Sequence, residues 1–305
     1  MLGRGALFAL PFILLTMFVG IVDPFDCLGF SNLVSDEVKS KVAKPLHNPL
    51  WKLRKFEQSP VSRIILGDSS MASINTAEIR AVTGQEYFNF AYGGGTLIEA
   101  MDTYWIAAAR IHLDSVYIGI GLINFNEYQN LDRVPEAQRM VANPLMYLTN
   151  RIVVGAAFVS AYTALTGKFV DIGVPEMSRE AFWRNQIDES LPQLLHEYSF
   201  PSNVAARLEL VAADCRRRGT RLVIVIPPTH VELQSKIVAL GRGPADGQFK
   251  AFVATLGTVY DLDYPNAFTA DRANFSDPFH TKTDDMIIQE VWGNRHLYSR
   301  RTPHR

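Results

Sequence analysis

Two stretches carry residue types that could act on each other. Ser69 follows an aliphatic run in "IILGDSSMASIN" (64–75), and Asp277 and His280 stand three apart in "NFSDPFHTKTDD" (274–285). A serine hydroxyl becomes a nucleophile when an imidazole takes its proton. The imidazole in turn needs a carboxylate on its other ring nitrogen, to fix the tautomer and stabilise the imidazolium. A short Asp-x-x-His turn supplies that second pair locally. Each stretch also has a plainer reading: Gly-Asp-Ser-Ser suits a helix cap, and Asp277 would also cap a helix over 278–290.

Two further stretches could meet the charge that such an attack creates. "NFAYGGGTLIEA" (89–100) holds three consecutive glycines, which let a backbone approach a ligand and present N–H groups to it. The glycines are not spaced as the G-x-G-x-x-G of a dinucleotide site. "GIGLINFNEY" (119–128) offers Asn124 or Asn126 as a side-chain donor.

The elements that must position these residues read as alternating strands and helices. Strands are predicted at 62–67, 86–91, 114–121, 220–228 and 258–263, from β-branched and aromatic runs bounded by turn residues. Helices are predicted near 74–82, 96–111, 203–218, 230–240 and 246–256. The third is the clearest, with Ser202 or Asn203 as its cap, Gly219 as its stop, and Val204, Leu208, Val211 and Cys215 on one apolar stripe. This alternation predicts an α/β chain: a three-layer α/β/α sandwich around a five-stranded parallel sheet. Ser69 then follows strand one, the glycines strand two, the asparagines strand three, and Asp-x-x-His strand five. All lie at the carboxyl edge, where such sheets gather functional residues. The spacing breaks once, at a helical insertion over about 125–200. Within it, 151–167 is apolar, but its uncharged part is only 16 residues, between Arg151 and Lys168. A second membrane span there would put strands one to three and strands four and five on opposite sides of a bilayer. A helical cap, or a patch dipping into a membrane surface, is expected instead.

This order of blocks resembles the SGNH hydrolase (GDSL-like) superfamily over about residues 61–296, a flavodoxin-like SGNH fold. "GDSS" is similar to its first block and implies Ser69 as nucleophile. "NFAYGGGT" looks like the second and implies Gly94, with the Ser69 N–H, as backbone oxyanion donors. "DPFH" matches the last and implies His280 as base and Asp277 as orienter. The third block is Gly-x-Asn-Asp in the family, whereas here the chain reads Gly-Leu-Ile-Asn-Phe-Asn. Asn124 is the expected third oxyanion donor and Asn126 the alternative register. An exported, membrane-anchored chain with a degenerate third block is similar to the bacterial envelope branch, which includes the alginate O-acetylation and D-alanyl transfer proteins. The resemblance implies a serine acyltransferase or esterase acting on acyl groups, O-acetyl first among them, of a cell-envelope or exopolysaccharide glycan. It also implies a membrane-bound acyltransferase as partner.

The N-terminus supports export. Residues 5–22 are apolar and uncharged, about the minimum for a bilayer span, with Arg4 before them and Asp23 and Asp26 after. With no small-x-small site after the run, an uncleaved signal-anchor is expected (1–22), rather than a cleaved signal peptide. A stalk or linker (23–60) and a catalytic domain (61–300) follow. The chain would then be a single-pass protein of the bacterial inner membrane with its catalytic domain in the periplasm or outside. A net charge of −1 over 305 residues gives no reason to expect nucleic acid. Two cysteines make neither a disulfide framework nor a metal-ligand spacing, and no cofactor or metal is expected. Three other readings share these residues: a plain exported esterase, a non-catalytic glycan-binding or scaffold module, and a flavodoxin-like domain binding a phosphorylated ligand. The last leaves Asp277 and His280 without a role.

Overall fold

A computed structural model describes residues 2–29, 33–169, 177–293 and 297–302, with side chains from residue 9 onward. The side chain of Arg4, expected as the basic flank of the apolar run, and residues 170–176 of the expected insertion therefore lie outside what is described. In chain order, α1 (Leu2–Val22), α2 (Asp36–Leu46) and α3 (Asn48–Gln58) lead to β1 (Arg63–Leu66), α4 (Ser69–Ala72), α5 (Thr76–Thr83), β2 (Phe88–Asn89), α6 (Leu97–Arg110) and β3 (Ser115–Gly119). Then come α7 (Val134–Ala142), α8 (Pro144–Thr149), α9 (Arg151–Thr166), α10 (Arg179–Asn185), a π turn over Gln186–Ser190, α11 (Leu191–Leu195) and α12 (Ser202–Arg218). The chain continues through β4 (Arg221–Ile226), α13 (Val231–Ala239), α14 (Gly243–Val253), β5 (Thr258–Asp261), α15 (Ala267–Ala270), β6 (Phe275–Asp277), β7 (His280–Thr281), α16 (Asp285–Val291) and β8 (Arg300–Thr302).

The chain divides into two compact units, Met1–Ser59 with Arg133–Val174, and Pro60–Asp132 with Pro175–Arg305. The second holds a six-stranded sheet in the order β2-β1-β3-β4-β5-β8. The first five strands are parallel, as the alternating pattern predicts, and the sixth is not: β8 pairs antiparallel with β5, Tyr260 opposite Arg301. The five-strand expectation missed β8 because it is three exposed, polar residues with no alternating pattern. It is held by its ladder and by Arg300 and Arg301 lying over the rings of Tyr264 and Tyr260.

The central strands β3 and β4 are buried almost throughout, as a sheet covered on both faces requires. On one face Ile65, Tyr117, Val223, Val225 and Tyr260 pack with Met71 and with Ile287, Ile288 and Trp292 of and beside α16. α6 and α12 pack against each other, α6 also on β1 and α12 on β4. α12 ends where expected, at Gly219 in the left-handed conformation (φ 72°), and Cys215 is buried on its inner stripe. Its start differs from expectation: Ser202 already lies inside the helix, and the cap residue is Pro201, whose ring has no acceptor for a cap bond.

The first unit corrects the expectation of a stalk over 23–60. α2 and α3 pack on each other and on the insertion helices, α2 against α9 and α3 against α7. Leu50, Leu53 and Phe56 are buried. Asp23 and Asp26, which follow the apolar run, are both buried. Asp23 is fully buried and its carboxylate accepts from the N–H groups of Cys27, Leu28 and Gly29 and from the Tyr147 hydroxyl. Asp26 pairs with Lys39 and Lys55. The expected insertion is thus divided: 133–169 lies in this unit and α10 and α11 in the other. Among the described residues no helix is long and apolar enough to cross a membrane.

Candidate active site

The strand order reverses at β1, whose neighbours β2 and β3 lie on either side. The crevice at the carboxyl ends of such strands is the binding position in an open parallel sheet. Gly67 closes β1 with φ 143°, a conformation that favours glycine, and a Cβ there would lie 3.0 Å from the Gly119 carbonyl oxygen. The chain can therefore turn sharply while β1 and β3 stay close. Asp68 then caps α4, accepting from the Ser70 N–H at 2.9 Å and the Ser70 hydroxyl at 2.5 Å. Ser70 is thus tied back to its own turn.

Ser69 is directed elsewhere: its Oγ lies 2.8 Å from His280 Nε2. The other ring nitrogen, Nδ1, lies 2.9 and 2.8 Å from the two Asp277 carboxylate oxygens. The tight β6–β7 hairpin pairs Asp277 with His280, and Asp277 Oδ1 also accepts from the N–H groups of Phe279 and His280. The hydrogen bond that Asp277 accepts from the ring raises the His280 pKa above that of an ordinary histidine, against the opposite pull of burial. Asp277 therefore serves as a strand end and not as the cap of a helix over 278–290.

These residues open into a cavity of about 290 Å³. Ser69, Gly94, Gly95, Asn124 and His280 line it, with a mainly apolar wall that includes Leu122, Ile123, Leu194, Leu233, Ile237 and Phe279. Gly94 has φ 59° and Gly95 N–H donates to the Tyr92 carbonyl, so the three-glycine turn is folded tightly at the rim. The two candidate asparagines separate cleanly. Asn124 lines the cavity, and its amide donates to the Asp68 carboxylate. Asn126 is buried away from it and donates to the Leu194 carbonyl at 3.1 Å.

Three positions were not singled out by sequence reasoning. Asn89 donates to the Met71 and Ile74 carbonyls, fastening the end of β2 to the segment that carries Ser69. His230 N–H donates to the Pro278 carbonyl and so pins the turn between Asp277 and His280. Burial pushes the His230 pKa down. Asp263 lines the cavity and accepts from the Thr229 N–H and hydroxyl and from Gln234. Only their place at the end of β2 and after β4 and β5 could have marked them, since every one of these contacts is long-range. Among the described residues no group of three or more His, Cys, Asp or Glu side chains is placed to hold a metal ion.

No family model matches the chain, and no curated protein does. Among solved structures, one described as "a putative platelet activating factor from Streptococcus pneumonia" aligns over 84% of this chain and 94% of that chain, with 11% identity and a TM-score of 0.38.

Proposed function

We propose that this protein is an SGNH-type serine acyltransferase or esterase that moves acyl groups through a covalent acyl-serine. One observation carries the reading: Ser69 Oγ sits 2.8 Å from His280 Nε2 while Asp277 holds the opposite ring nitrogen. His280 takes the hydroxyl proton as Oγ forms a bond to the acyl carbonyl carbon. The oxyanion is met by the N–H groups of Ser69 and Gly94 and by the Asn124 side chain. The tetrahedral adduct then breaks its bond to the leaving group, which receives the proton from His280. An acceptor hydroxyl, deprotonated by the same imidazole, attacks the acyl-serine, and as the bond to Ser69 Oγ breaks His280 returns the proton to that oxygen. A sugar hydroxyl as acceptor makes the protein a transferase, and water makes it an esterase. The cavity lies open to either, and its apolar wall suits the acyl group.

The substrate in this reading is a glycan of the cell envelope or an exopolysaccharide, with O-acetyl as the acyl group. The apolar N-terminal segment anchors the chain at the bacterial inner membrane, its catalytic domain exported. A membrane-bound acyltransferase supplies the acyl group. No cofactor takes part.

The experiment is to incubate the protein with an activated acetyl ester and digest it with trypsin. Acylation appears as a mass increase on peptide 64–80, assigned by fragmentation to Ser69, and is absent from Ser69→Ala. Unmodified Ser69 alongside normal ester turnover would overturn the covalent mechanism. Adding candidate glycans and measuring acetylated sugar against free acetate separates transfer from hydrolysis.

A further inference from the structure

α9 is built inside out for a helix in water. A surface helix of a globular protein turns its large apolar residues inward and its polar ones outward. In α9 the buried stripe is small or hydroxyl-bearing apart from Val153: Ala156, Ala157, Ser160 and Thr163. The outer stripe is Gly155, Phe158, Tyr162 and Leu165, with Leu165 86% exposed and Phe158 55%. Small residues inward and large apolar residues outward is the pattern of a helix whose surroundings are hydrocarbon. There, packing against neighbouring helices needs close approach, and burial of apolar side chains drives nothing.

Three further observations in this unit agree. α9 packs against α1, and the Phe158 ring lies 4.8 Å from that of Phe18. The outer stripe of α9 thereby continues the exposed apolar surface of α1, which includes Leu14, Met17 and Ile21. Thr16 and Thr166 are satisfied within their own helices: Thr16 donates to the Phe12 and Ile13 carbonyls and Thr166 to the Tyr162 carbonyl, so neither needs water. Finally, the charges are at the ends. Arg151 precedes the uncharged run and Lys168 follows it, and Lys41 lies over the exposed Phe169 ring. Cations at that position reach headgroup phosphates while their stems stay with the apolar part.

We propose that the outer face of α9 is a second membrane-contacting surface, seated at the headgroup–acyl boundary of a lipid bilayer beside α1. At 16 residues α9 is about 24 Å long, and it enters the boundary without crossing the bilayer. The proposal rests on the membrane placement of α1 in the reading above and is independent of the acyl chemistry.

The test uses the full chain reconstituted into vesicles of phosphatidylcholine and phosphatidylglycerol that carry a diazirine in one acyl chain. Trypsin cleavage after Arg4, Lys39, Arg151 and Lys168 isolates peptides 5–39 and 152–168, so the two helices report separately. Photolabel is expected on both peptides, in 152–168 at Phe158, Tyr162 and Leu165. The double variant Phe158→Gln/Leu165→Glu should lose label from 152–168, keep it on 5–39, and keep the urea midpoint read in a chain whose only tryptophan is Trp51, which lies in the same unit as α9, as the sign of an intact fold. If that variant fails to fold, the labelling of the unaltered chain decides alone. Label on 5–39 only would overturn the α9 proposal and leave the anchor standing, as would a face reserved for a protein partner, which stays unlabelled in these vesicles. Label on neither would overturn both, and Ser69 acylation on peptide 64–80 is read independently of all three outcomes.

Discussion

At the scale of the residue, the two serines of the first turn have opposite fates. Ser70 donates to Asp68 within its own turn, whereas Ser69 faces His280. Ser69→Ala should therefore lower ester turnover by about 10⁴-fold or more, and Ser70→Ala by far less, measured as kcat/KM on a small aryl ester. The reverse order would assign the nucleophile to the wrong serine. Asp277 acts through His280, and its effect is visible in the pH profile. Because Asp277 raises the His280 pKa, the imidazole remains protonated to a higher pH than an ordinary histidine, and protonated it cannot act as base. The acid limb of kcat/KM should lie above the ordinary histidine value. Asp277→Asn should move that limb to lower pH while lowering the rate by about 10⁴-fold through the wrong tautomer. An unmoved limb would mean that another group orients the ring. Asp277 and His280 were legible from their spacing of three, and Ser69 from its place after β1, although it meets His280 across the chain. The choice of Asn124 over Asn126 was not, since both follow the same strand and only the fold shows that Asn126 turns to Leu194.

At the scale of the element, the site depends on how closely β1 and β3 approach. Met71 fills the space beside Gly119, where an added Cβ would sit 2.0 Å from Met71 Cγ. Met71 lies on α4, two residues beyond Ser69, so displacing it should disturb the position of Ser69 as well as the core. Gly119→Ala is expected to cost about 1–3 kcal/mol of stability by overpacking and to lower activity with it. Combining it with Met71→Ala should recover part of both losses, because the clash is removed by shortening the side chain. Additive losses in denaturant and rate measurements would place the strain elsewhere. Gly119 was visible in sequence only as one glycine in "GIGLINFNEY"; the close approach of Met71 is a property of packing. A second element-scale case is the turn after α1. Asp23 is fully buried and accepts three backbone N–H groups and a tyrosine hydroxyl. Bonds to a charged acceptor contribute about 1.5–3 kcal/mol each, less the cost of burying the charge. Asp23→Ala should thus shift the thermal midpoint down by several degrees, whereas an exposed flanking charge would give no change. The sequence shows Asp23 only as an acidic residue after an apolar run, which looks the same whether the carboxylate is buried or exposed.

At the scale of the whole molecule, the parallel sheet was legible and the partition of the chain was not. β1, β3, β4 and β5 announce themselves by buried aliphatic runs, and the helices between them by their caps and periodicity. A unit assembled from Met1–Ser59 and Arg133–Val174 leaves no such mark, because its core joins segments separated by three strands of the other unit's sheet. Every residue lining the cavity at Ser69 belongs to the second unit. That separation can be tested. Leu50 is completely buried in the first unit, and replacing it with alanine should cost about 2–5 kcal/mol through lost contacts and a cavity. Trp51 and Trp292 stand in different units, so each, kept as the only tryptophan of a variant, reports unfolding of its own unit in urea. Leu50→Ala should lower the Trp51 midpoint, leave the Trp292 midpoint in place, and keep kcat/KM for a small aryl ester unchanged below the transition. If the two midpoints fell together, the units would unfold as one cooperative body. If the midpoints separated but kcat/KM fell, residues of the first unit would have to contribute to the chemistry at Ser69.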